Sequence, residues 1–223
     1  MLNELRKNLI VSCQPLVGGS MDHPEIIAAM AKAAVSGGAV AVRIEGVENV
    51  KAVRAIVECP IIGLIKVDTD DTPIRITPYN QNIRDLVSAG SEIIAVDAID
   101  RPRPETLASA IDLVHQLGSL FMADCATYEE AIEAQKLGAD IIATTMSGYT
   151  DGLTPEYPDL KLVTNMATLD AFVIAEGRFN TPALAAKAIM AGADAVVVGS
   201  AITRLETITS WFTDAIKTTA IPE

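Results

Sequence analysis

AGADAVVVG, residues 191–199, contains the pattern that decides the fold: a small residue and a glycine stand just before an uninterrupted apolar run. Similar phrases occur at 36–44 (SGGAVAVRI), 89–97 (AGSEIIAVD) and 137–145 (LGADIIATT). Each apolar run has the length of a strand, and three of the four lack the alternation of a half-exposed strand. Such strands are typical of a parallel sheet covered by helices. The glycine suits the end of the preceding helix, where a left-handed residue is needed.

Four further apolar segments of strand length lie between these phrases, which makes eight candidate strands. They are NLIVSC (8–13), PIIGLIK (60–66), SLFMAD (119–124) and AFVIAE (171–176). Helical segments separate the strands, and no break in composition divides the chain. The pattern predicts an α/β protein, a (β/α)8 TIM barrel of the phosphate-binding type, formed by one domain over residues 1–223. A doubly wound open sheet is the alternative, but its dinucleotide-binding fingerprint is absent.

Capping residues predict where several helices begin. The expected caps are Asp22, Thr127 and Thr181, for helices over 23–37, 128–137 and 182–191. Thr127 is followed three positions later by Glu130, which predicts a capping box. Pro24 and Pro182 stand in the first turns of their helices, where proline is favoured. The last helix is expected over about 203–217.

Composition limits the classes of partner and the compartment. The 223 residues carry a net charge of -12, which argues against a nucleic-acid surface because such a surface needs a basic patch. The three cysteines form no CxxC pair, as is typical of reduced thiols in the cytosol. The N-terminus lacks the apolar run of a secretion signal, and no stretch reaches the roughly 20 apolar residues of a membrane span. We therefore expect a cytoplasmic protein without nucleic-acid or membrane partners.

Charged residues stand at the carboxyl ends of five predicted strands, where (β/α)8 barrels place their catalytic groups. They are Arg43, Lys66, Asp97, Asp124 and Glu176, and the polar residues Gln14 and Thr145 stand at the ends of two others. Five charges at one end of a barrel indicate a shared pocket. Ion pairs at the barrel rim are the alternative explanation.

Two glycine-containing pairs follow the last two strands and predict a phosphate site. They are Gly177-Arg178 and Gly199-Ser200. Glycine lets backbone amides approach phosphate oxygens closely, and a helix start adds its dipole. Arg204, expected one turn into the last helix, would add a charge-assisted hydrogen bond. Alternatively, the glycines only make tight turns.

Lys66 closes the apolar run IIGLI, where desolvation should lower its pKa and make it a base near neutral pH. A lysine in this position could equally form a Schiff base. Glu176 is the candidate for a second proton-transfer group, although the two residues could instead form one structural ion pair. Neither a redox-cofactor fingerprint nor a metal-ligand cluster is recognisable, so we expect no cofactor and no metal.

Nine phrases along nearly the whole chain resemble the N-acetylmannosamine-6-phosphate 2-epimerase family of bacterial sialic-acid breakdown. They are LIVSCQP (9–15), VRIEG (42–46), PIIGLIK (60–66), RITPY (75–79), DRPRPETL (100–107), MADCAT (122–127), TTMSGYT (144–150), VIAEGRFNTP (173–182) and VGSAITRLETIT (198–209). The resemblance implies a cofactor-independent epimerisation at C2 of a small-molecule substrate, N-acetylmannosamine 6-phosphate, to N-acetylglucosamine 6-phosphate. It also implies a homodimer.

The resemblance also assigns roles to the residues above. Lys66 matches the catalytic lysine, expected to be the principal base and acid, and Glu176 matches the catalytic glutamate, expected to assist ring opening or proton donation. The residues expected to bind the substrate are Gln14, Arg43, Asp124, Thr145 and Tyr149, with the backbones of Gly177, Arg178, Gly199 and Ser200 and the side chain of Arg204 at the phosphate. Tyr149 and Thr150 are expected to close over the substrate.

One position departs from the family pattern. Many members have arginine directly after the catalytic lysine, whereas this chain has Val67 followed by Asp68. Adjacent strand residues point to opposite faces, so Lys66 itself is expected to be undisturbed. Two other functions remain open from the sequence. One is a Schiff-base aldolase that uses Lys66, and the other is a sugar-phosphate sensor in which Val67 marks lost catalysis.

Overall fold

Eight parallel strands close into a barrel in the computed structural model, which describes residues 1–68, 72–149 and 155–219. Each strand pairs with its neighbours in chain order, and the last pairs with the first. The strands are β1 Leu9–Ser12, β2 Ala41–Glu45, β3 Ile61–Leu64, β4 Ile93–Asp97, β5 Leu120–Asp124, β6 Ile141–Ala143, β7 Phe172–Glu176 and β8 Ala195–Val198. The predicted (β/α)8 barrel is confirmed.

Helices follow the strands in alternation. They are α1 Leu2–Leu5, α2 Pro24–Ser36, α3 Val47–Arg54, α4 Asn80–Ala89, α5 Leu107–Gln116, α6 Tyr128–Lys136, α7 Leu160–Met166, α8 Pro182–Met190, α9 Ser200–Thr203 and α10 Leu205–Thr218. The glycine before the strand in each repeated phrase ends the preceding helical segment with a positive φ, for example 104° at Gly90 and 106° at Gly192. Glycine reaches this conformation without steric cost.

Two layers of apolar side chains explain why the strands are apolar without alternation. Ile10, Ile62 and Ile93 are fully buried in a cluster contributed by all eight strands, which fills the barrel. The residues next to them, such as Val11, Ile61 and Ile94, pack in a second cluster with the apolar faces of the helices. Because both faces of each strand are covered, neither face needs polar residues.

Three of the repeated phrases also contain an acidic residue directly before the strand. Glu92, Asp140 and Asp194 each accept a hydrogen bond from the first or second backbone amide of the preceding strand, at 2.9, 2.8 and 2.8 Å. Each acid also contacts a basic side chain, respectively Arg54, His115 and Arg6. We call these three residues the strand-start acids. They tie β3 to β4, β5 to β6 and β7 to β8 at the amino ends of the strands.

The capping predictions were right for two helices and wrong for one. The Thr127 hydroxyl accepts a hydrogen bond from the Glu130 amide. The Glu130 carboxylate accepts one from the Thr127 amide, so the predicted capping box is confirmed. Thr181 caps α8 as expected. Asp22 is not the cap of α2: His23 occupies that position in an extended conformation, which the following proline favours. The Asp22 carboxylate accepts the Gly18 amide instead.

The last helix, predicted over about 203–217, is confirmed as α10, and the separate short helix α9 precedes it. α9 ends and α10 begins at Arg204, whose backbone is not helical (φ −105°, ψ 84°). The Arg204 Nε atom donates to the carbonyl oxygen of Gln14 at 2.9 Å, across the barrel closure between β8 and β1. Arg204 therefore stands between two helices rather than one turn into a single helix.

Candidate active site

A cavity of about 390 Å³ opens at the carboxyl ends of the strands. Its wall contains eleven of the twelve predicted site residues: Gln14, Arg43, Lys66, Thr145, Tyr149, Glu176, Gly177, Arg178, Gly199, Ser200 and Arg204. The strands bring them together because the barrel gathers eight carboxyl ends around one axis. The volume is in the range of pockets that bind small molecules.

Arg43 lies between two carboxylates at the floor of this cavity. Its Nη2 atom is 2.6 Å from Asp124 Oδ2, and its Nη1 atom is 3.0 Å from Glu176 Oε1. The Thr145 hydroxyl lies 2.6 Å from Asp124 Oδ1 and 3.3 Å from Glu176 Oε2. A hydroxyl donates one hydrogen, so the shorter distance favours Asp124 as the acceptor. The network therefore supports the negative charge on Asp124 more strongly than on Glu176.

Burial shifts the ionisation of this network. It raises the pKa of Glu176 to about 7, with the Arg43 charge opposing the shift and the Asp124 charge adding to it. Burial also raises the pKa of Asp124, opposed mainly by Arg43. For Arg43, burial alone would lower the pKa, but the two carboxylates raise it above its usual value. Two carboxyl groups that share one guanidinium do not both ionise readily, so Glu176 can hold a proton near neutral pH.

Lys66 projects into the same cavity from the chain just after β3. Among the residues that the structure describes, Lys66 forms no ion pair, so the predicted alternative of a Lys66–Glu176 pair is not found. Its side chain is accessible through the open cavity, yet the surrounding protein removes much of its hydration. This desolvation, together with the charges of Arg43 and Arg204, lowers the pKa of Lys66. A lysine of this kind supplies neutral amine more readily than a free lysine.

The segment after β7 borders the cavity. Gly177 and Arg178 both have positive φ, 104° and 62°. The Arg178 side chain does not point freely into the cavity. It donates to the carbonyl oxygens of Ser147 (2.6 Å) and Tyr157 (2.8 Å), and its guanidinium stacks on the Tyr149 ring with 5.2 Å to the centroid. Arg178 therefore holds the loop that carries Tyr149.

The segment after β8 completes this side of the cavity. Gly199 lies close to β1, and a Cβ atom added to it would come within 3.3 Å of Ser12 Cβ. The hydrogen bond from Arg204 Nε to the Gln14 carbonyl fixes the guanidinium at the cavity wall. The Gln14 side-chain amide donates to the Ser12 hydroxyl at 2.9 Å.

Two predictions about position need correction. Asp124 is fully buried and does not border the cavity, because Arg43 and Thr145 occupy its carboxylate oxygens. It therefore lies behind the residues that a substrate would touch. Lys66 and Val67 do not point to opposite faces of a strand: β3 ends at Leu64, and both residues border the cavity.

One other predicted position lies away from the cavity wall. Asp97 is buried at the end of β4, where its carboxylate accepts the Arg75 amide and pairs with Arg101. Thr150 lies outside the described residues.

Some cavity residues were not predicted from the sequence. Arg75 and Asp68 form an ion pair at the cavity edge, and Asn180 and Phe179 border it after β7. Arg75 and Phe179 stand within the phrases RITPY and VIAEGRFNTP, so the resemblance was the available signal. The pattern of polar residues at strand ends did not indicate them, because they lie in loops after the strands. The path of these loops depends on the folded barrel.

The described ranges, 1–68, 72–149 and 155–219, lack two kinds of feature. Within them, no cluster of three or more His, Cys, Asp and Glu side chains is placed to hold a metal ion. No helix within them has the length and apolar character required to span a membrane.

A closed barrel with a polar, strand-end cavity defines the (β/α)8 class of enzymes. Residues 27–218 match a family model that carries the provisional description N-acetylmannosamine-6-phosphate epimerase. The chain belongs to this family, and its class of activity is that of an isomerase.

Similar proteins agree with this membership along the whole chain. A relative from Actinobacillus pleuropneumoniae serotype 5b is 54% identical over 221 residues, which cover 99% of this chain and 96% of the relative. One from Haemophilus influenzae is 53% identical over 217 residues, covering 97% and 95%. Both carry the provisional name N-acetylmannosamine-6-phosphate 2-epimerase. The structure of the N-acetylmannosamine-6-phosphate 2-epimerase from Clostridium perfringens has a TM-score of 0.93, with 42% identity and 96% of each chain covered.

Proposed function

We propose that this chain interconverts N-acetylmannosamine 6-phosphate and N-acetylglucosamine 6-phosphate by removing and returning the proton at C2. Family membership supports the reaction, and one feature of the site supports the chemistry. Lys66, without an ion-pair partner among the described residues and with a lowered pKa, borders the same cavity as Glu176, whose pKa is raised to about 7. A pair of groups with opposite shifts is what acid–base catalysis at neutral pH requires.

The reaction begins with ring opening, because the C2 proton becomes acidic only when C1 is an aldehyde. Glu176, protonated near neutral pH, donates a proton to the ring oxygen as the bond from C1 breaks, and the C1 hydroxyl releases its proton to water to leave the aldehyde. Neutral Lys66 then takes the C2 proton and leaves an enolate. Water supplies a proton to the opposite face of C2, Lys66 releases its proton to water, and ring closure reverses the first step. The position of Arg43 between Asp124 and Glu176 supports a role in holding the sugar and the glutamate together.

The phosphate is proposed to lie between the segments that follow β7 and β8. The backbones of Gly177, Arg178, Gly199 and Ser200 border the cavity there, with the side chain of Arg204. Backbone amides and a guanidinium are common phosphate donors. Asp124 is assigned a supporting role behind Arg43 and Thr145. Gln14, Thr145 and Tyr149 are proposed to contact the sugar.

A homodimer is proposed from an unpartnered face of α10. No residue of this helix is buried, and Leu205, Phe212 and Ile216 are 55%, 68% and 69% exposed. With Ile208 they recur at spacings of three and four residues, which places them on one face of the helix. A second copy of the chain would bring the same face to a two-fold interface. We also propose that the protein acts in the cytoplasm, since its three cysteines are free.

The reaction is tested by incubating the purified chain with N-acetylmannosamine 6-phosphate and following the product by NMR. N-acetylglucosamine 6-phosphate is expected to appear, and N-acetylmannosamine without the phosphate is expected to react far more slowly. Absence of product from the phosphorylated sugar would contradict the proposal. Equal rates for both sugars would contradict the proposed phosphate-binding site.

A further inference from the structure

The chain segment 74–77 lies between the carboxyl ends of two barrel strands. β3 and β4 are paired directly at Ile62 with Ile93 and at Gly63 with Ile94. Beyond these pairs, segment 74–77 bonds to both strands. On one side the Thr77 amide donates to the Ile65 carbonyl at 2.8 Å, and on the other the Asp97 amide donates to the Ile76 carbonyl at 3.0 Å. We call residues 74–77 the wedge.

The wedge fixes the backbone that carries Lys66. Lys66 pairs with Ile76 in an isolated antiparallel bridge, and the Val67 amide donates to the Arg75 carbonyl at 2.9 Å. The Lys66 amide faces Glu45 Oε1 at 3.3 Å, a long contact from the other side. Because Lys66 lies beyond the end of β3, the wedge supplies the hydrogen bonds that a strand neighbour would otherwise give.

Thr77 is the residue that connects the wedge to both strands. Its hydroxyl accepts the Ile65 amide at 3.2 Å and donates to the Ala95 carbonyl at 2.7 Å. It is 2% exposed and has a φ of 51°. A β-branched residue in this region is strained and persists only where its surroundings hold it. This side chain and the adjoining backbone bond to four backbone groups: the amide and carbonyl of Ile65, just after β3, and the Ala95 carbonyl and Asp97 amide of β4.

We propose that Thr77 is a positioning residue for the epimerisation, holding Lys66 at the reacting carbon through its hydroxyl bonds to Ile65, just after β3, and to Ala95 in β4. The inference rests on the proposed function, because it takes Lys66 as the base. Thr77 does not border the cavity and is not expected to contact the substrate. Loss of its hydroxyl should therefore slow proton transfer and leave substrate binding largely unchanged, since a small misplacement of a reacting group lowers rate strongly.

Three substitutions at Thr77 distinguish the effect of losing the hydroxyl from the effect of relieving the backbone strain. Thr77→Val removes the hydroxyl and keeps the branched shape, Thr77→Gly removes both the hydroxyl and the strain, and Thr77→Ser keeps the hydroxyl. We expect kcat to fall about 10- to 100-fold in the valine and glycine variants, with KM changed less than about threefold. The serine variant should stay within about threefold of the wild type. Exchange of the Ile65 amide, measured by NMR, should be faster in the glycine variant.

A matched control is Thr106→Val, which removes a hydroxyl that accepts a backbone amide at the start of α5. It should change neither kcat nor exchange of the Ile65 amide. Glycine adopts a positive φ freely, so Thr77→Gly decides the question if the valine variant fails to fold. A folded glycine variant with wild-type kcat and wild-type exchange at Ile65 would overturn the inference. Failure of the proposed function would look different, since the wild type itself would be inert or Lys66→Ala would remain active.

Discussion

Glu176 and Asp124 show how environment gives two carboxyl groups different tasks. Asp124 receives the shorter contacts from Arg43 and Thr145 and is fully buried. Glu176 has a longer contact with Arg43, reaches the cavity, and has its pKa raised to about 7, mainly by burial. The proton of the pair therefore resides on the residue that can pass it to a substrate.

The raised pKa of Glu176 predicts a pH dependence of stability. Folded Glu176 keeps a proton that the unfolded chain releases above about pH 4.5. Its contribution to stability is therefore complete below about pH 4.5 and is lost as the pH rises through about 7. In Glu176→Gln, we expect the free energy of unfolding to fall less between about pH 5 and pH 8 than in the wild type. Urea unfolding at several pH values measures this.

Exposed Glu58 offers the control, since Glu58→Gln should follow the wild-type pH dependence. Parallel curves for the wild type and Glu176→Gln would mean that Glu176 titrates alike in the folded and unfolded chains. That result would also remove Glu176 as a proton donor near neutral pH.

At the residue scale, the sequence predicted which strand ends meet at the cavity but not how deeply each side chain lies. Strand ends correctly predicted that Lys66, Arg43 and Glu176 would meet in one cavity. The same reasoning could not show that Asp124 lies behind the cavity wall, because depth depends on which side chains stand in front. The positive φ of Thr77 likewise has no sequence signal, since threonine rarely adopts it.

At the element scale, the strand-start acids explain why the repeated phrase recurs with Asp or Glu. Asp140 accepts the amide of fully buried Phe121 at 2.8 Å and contacts His115. Without the carboxylate, this amide would lose its partner at the amino end of β5. The apolar runs alone predicted the eight strands, whereas the role of the acids required knowledge of which strands are neighbours.

Asp140→Ala is therefore expected to destabilise the fold by about 1–3 kcal/mol, the usual cost of an unsatisfied buried group. Asp140→Asn keeps an acceptor oxygen and should cost less. Urea denaturation measures both. Asp112→Ala, an exposed substitution on α5, should change stability by less than about 0.5 kcal/mol. An Asp140→Ala loss no larger than that of the control would contradict this role.

For the whole molecule, the break at Arg204 has two consequences. Arg204 borders the cavity at the break, and α10 follows it with its apolar residues exposed. The sequence predicted the helix over about 203–217, which α10 confirms, but it placed Arg204 inside that helix, because local propensity contains no sign of the hydrogen bond from Arg204 to Gln14. A tertiary contact between the segments that follow β8 and β1 overrides the local helical preference of Arg204.

If α10 forms the dimer interface, Phe212→Asp should produce monomers, because a charge would be buried in an apolar contact. Light scattering coupled to size-exclusion chromatography measures the mass directly. Ser210→Asp, on the opposite face of α10, should leave the dimer intact. A wild-type monomer, or a Phe212→Asp dimer of unchanged affinity, would contradict the proposed interface.

The barrel is proposed to exchange the C2 proton of its substrate with Lys66 as the base. The most direct test of this claim is proton NMR of N-acetylmannosamine 6-phosphate incubated with the protein in heavy water, beside Lys66→Ala. We expect the wild type to form N-acetylglucosamine 6-phosphate with deuterium at C2, and the variant to lose both conversion and exchange. Product that retains its original C2 proton, or a Lys66→Ala variant that exchanges at the wild-type rate, would contradict the claim.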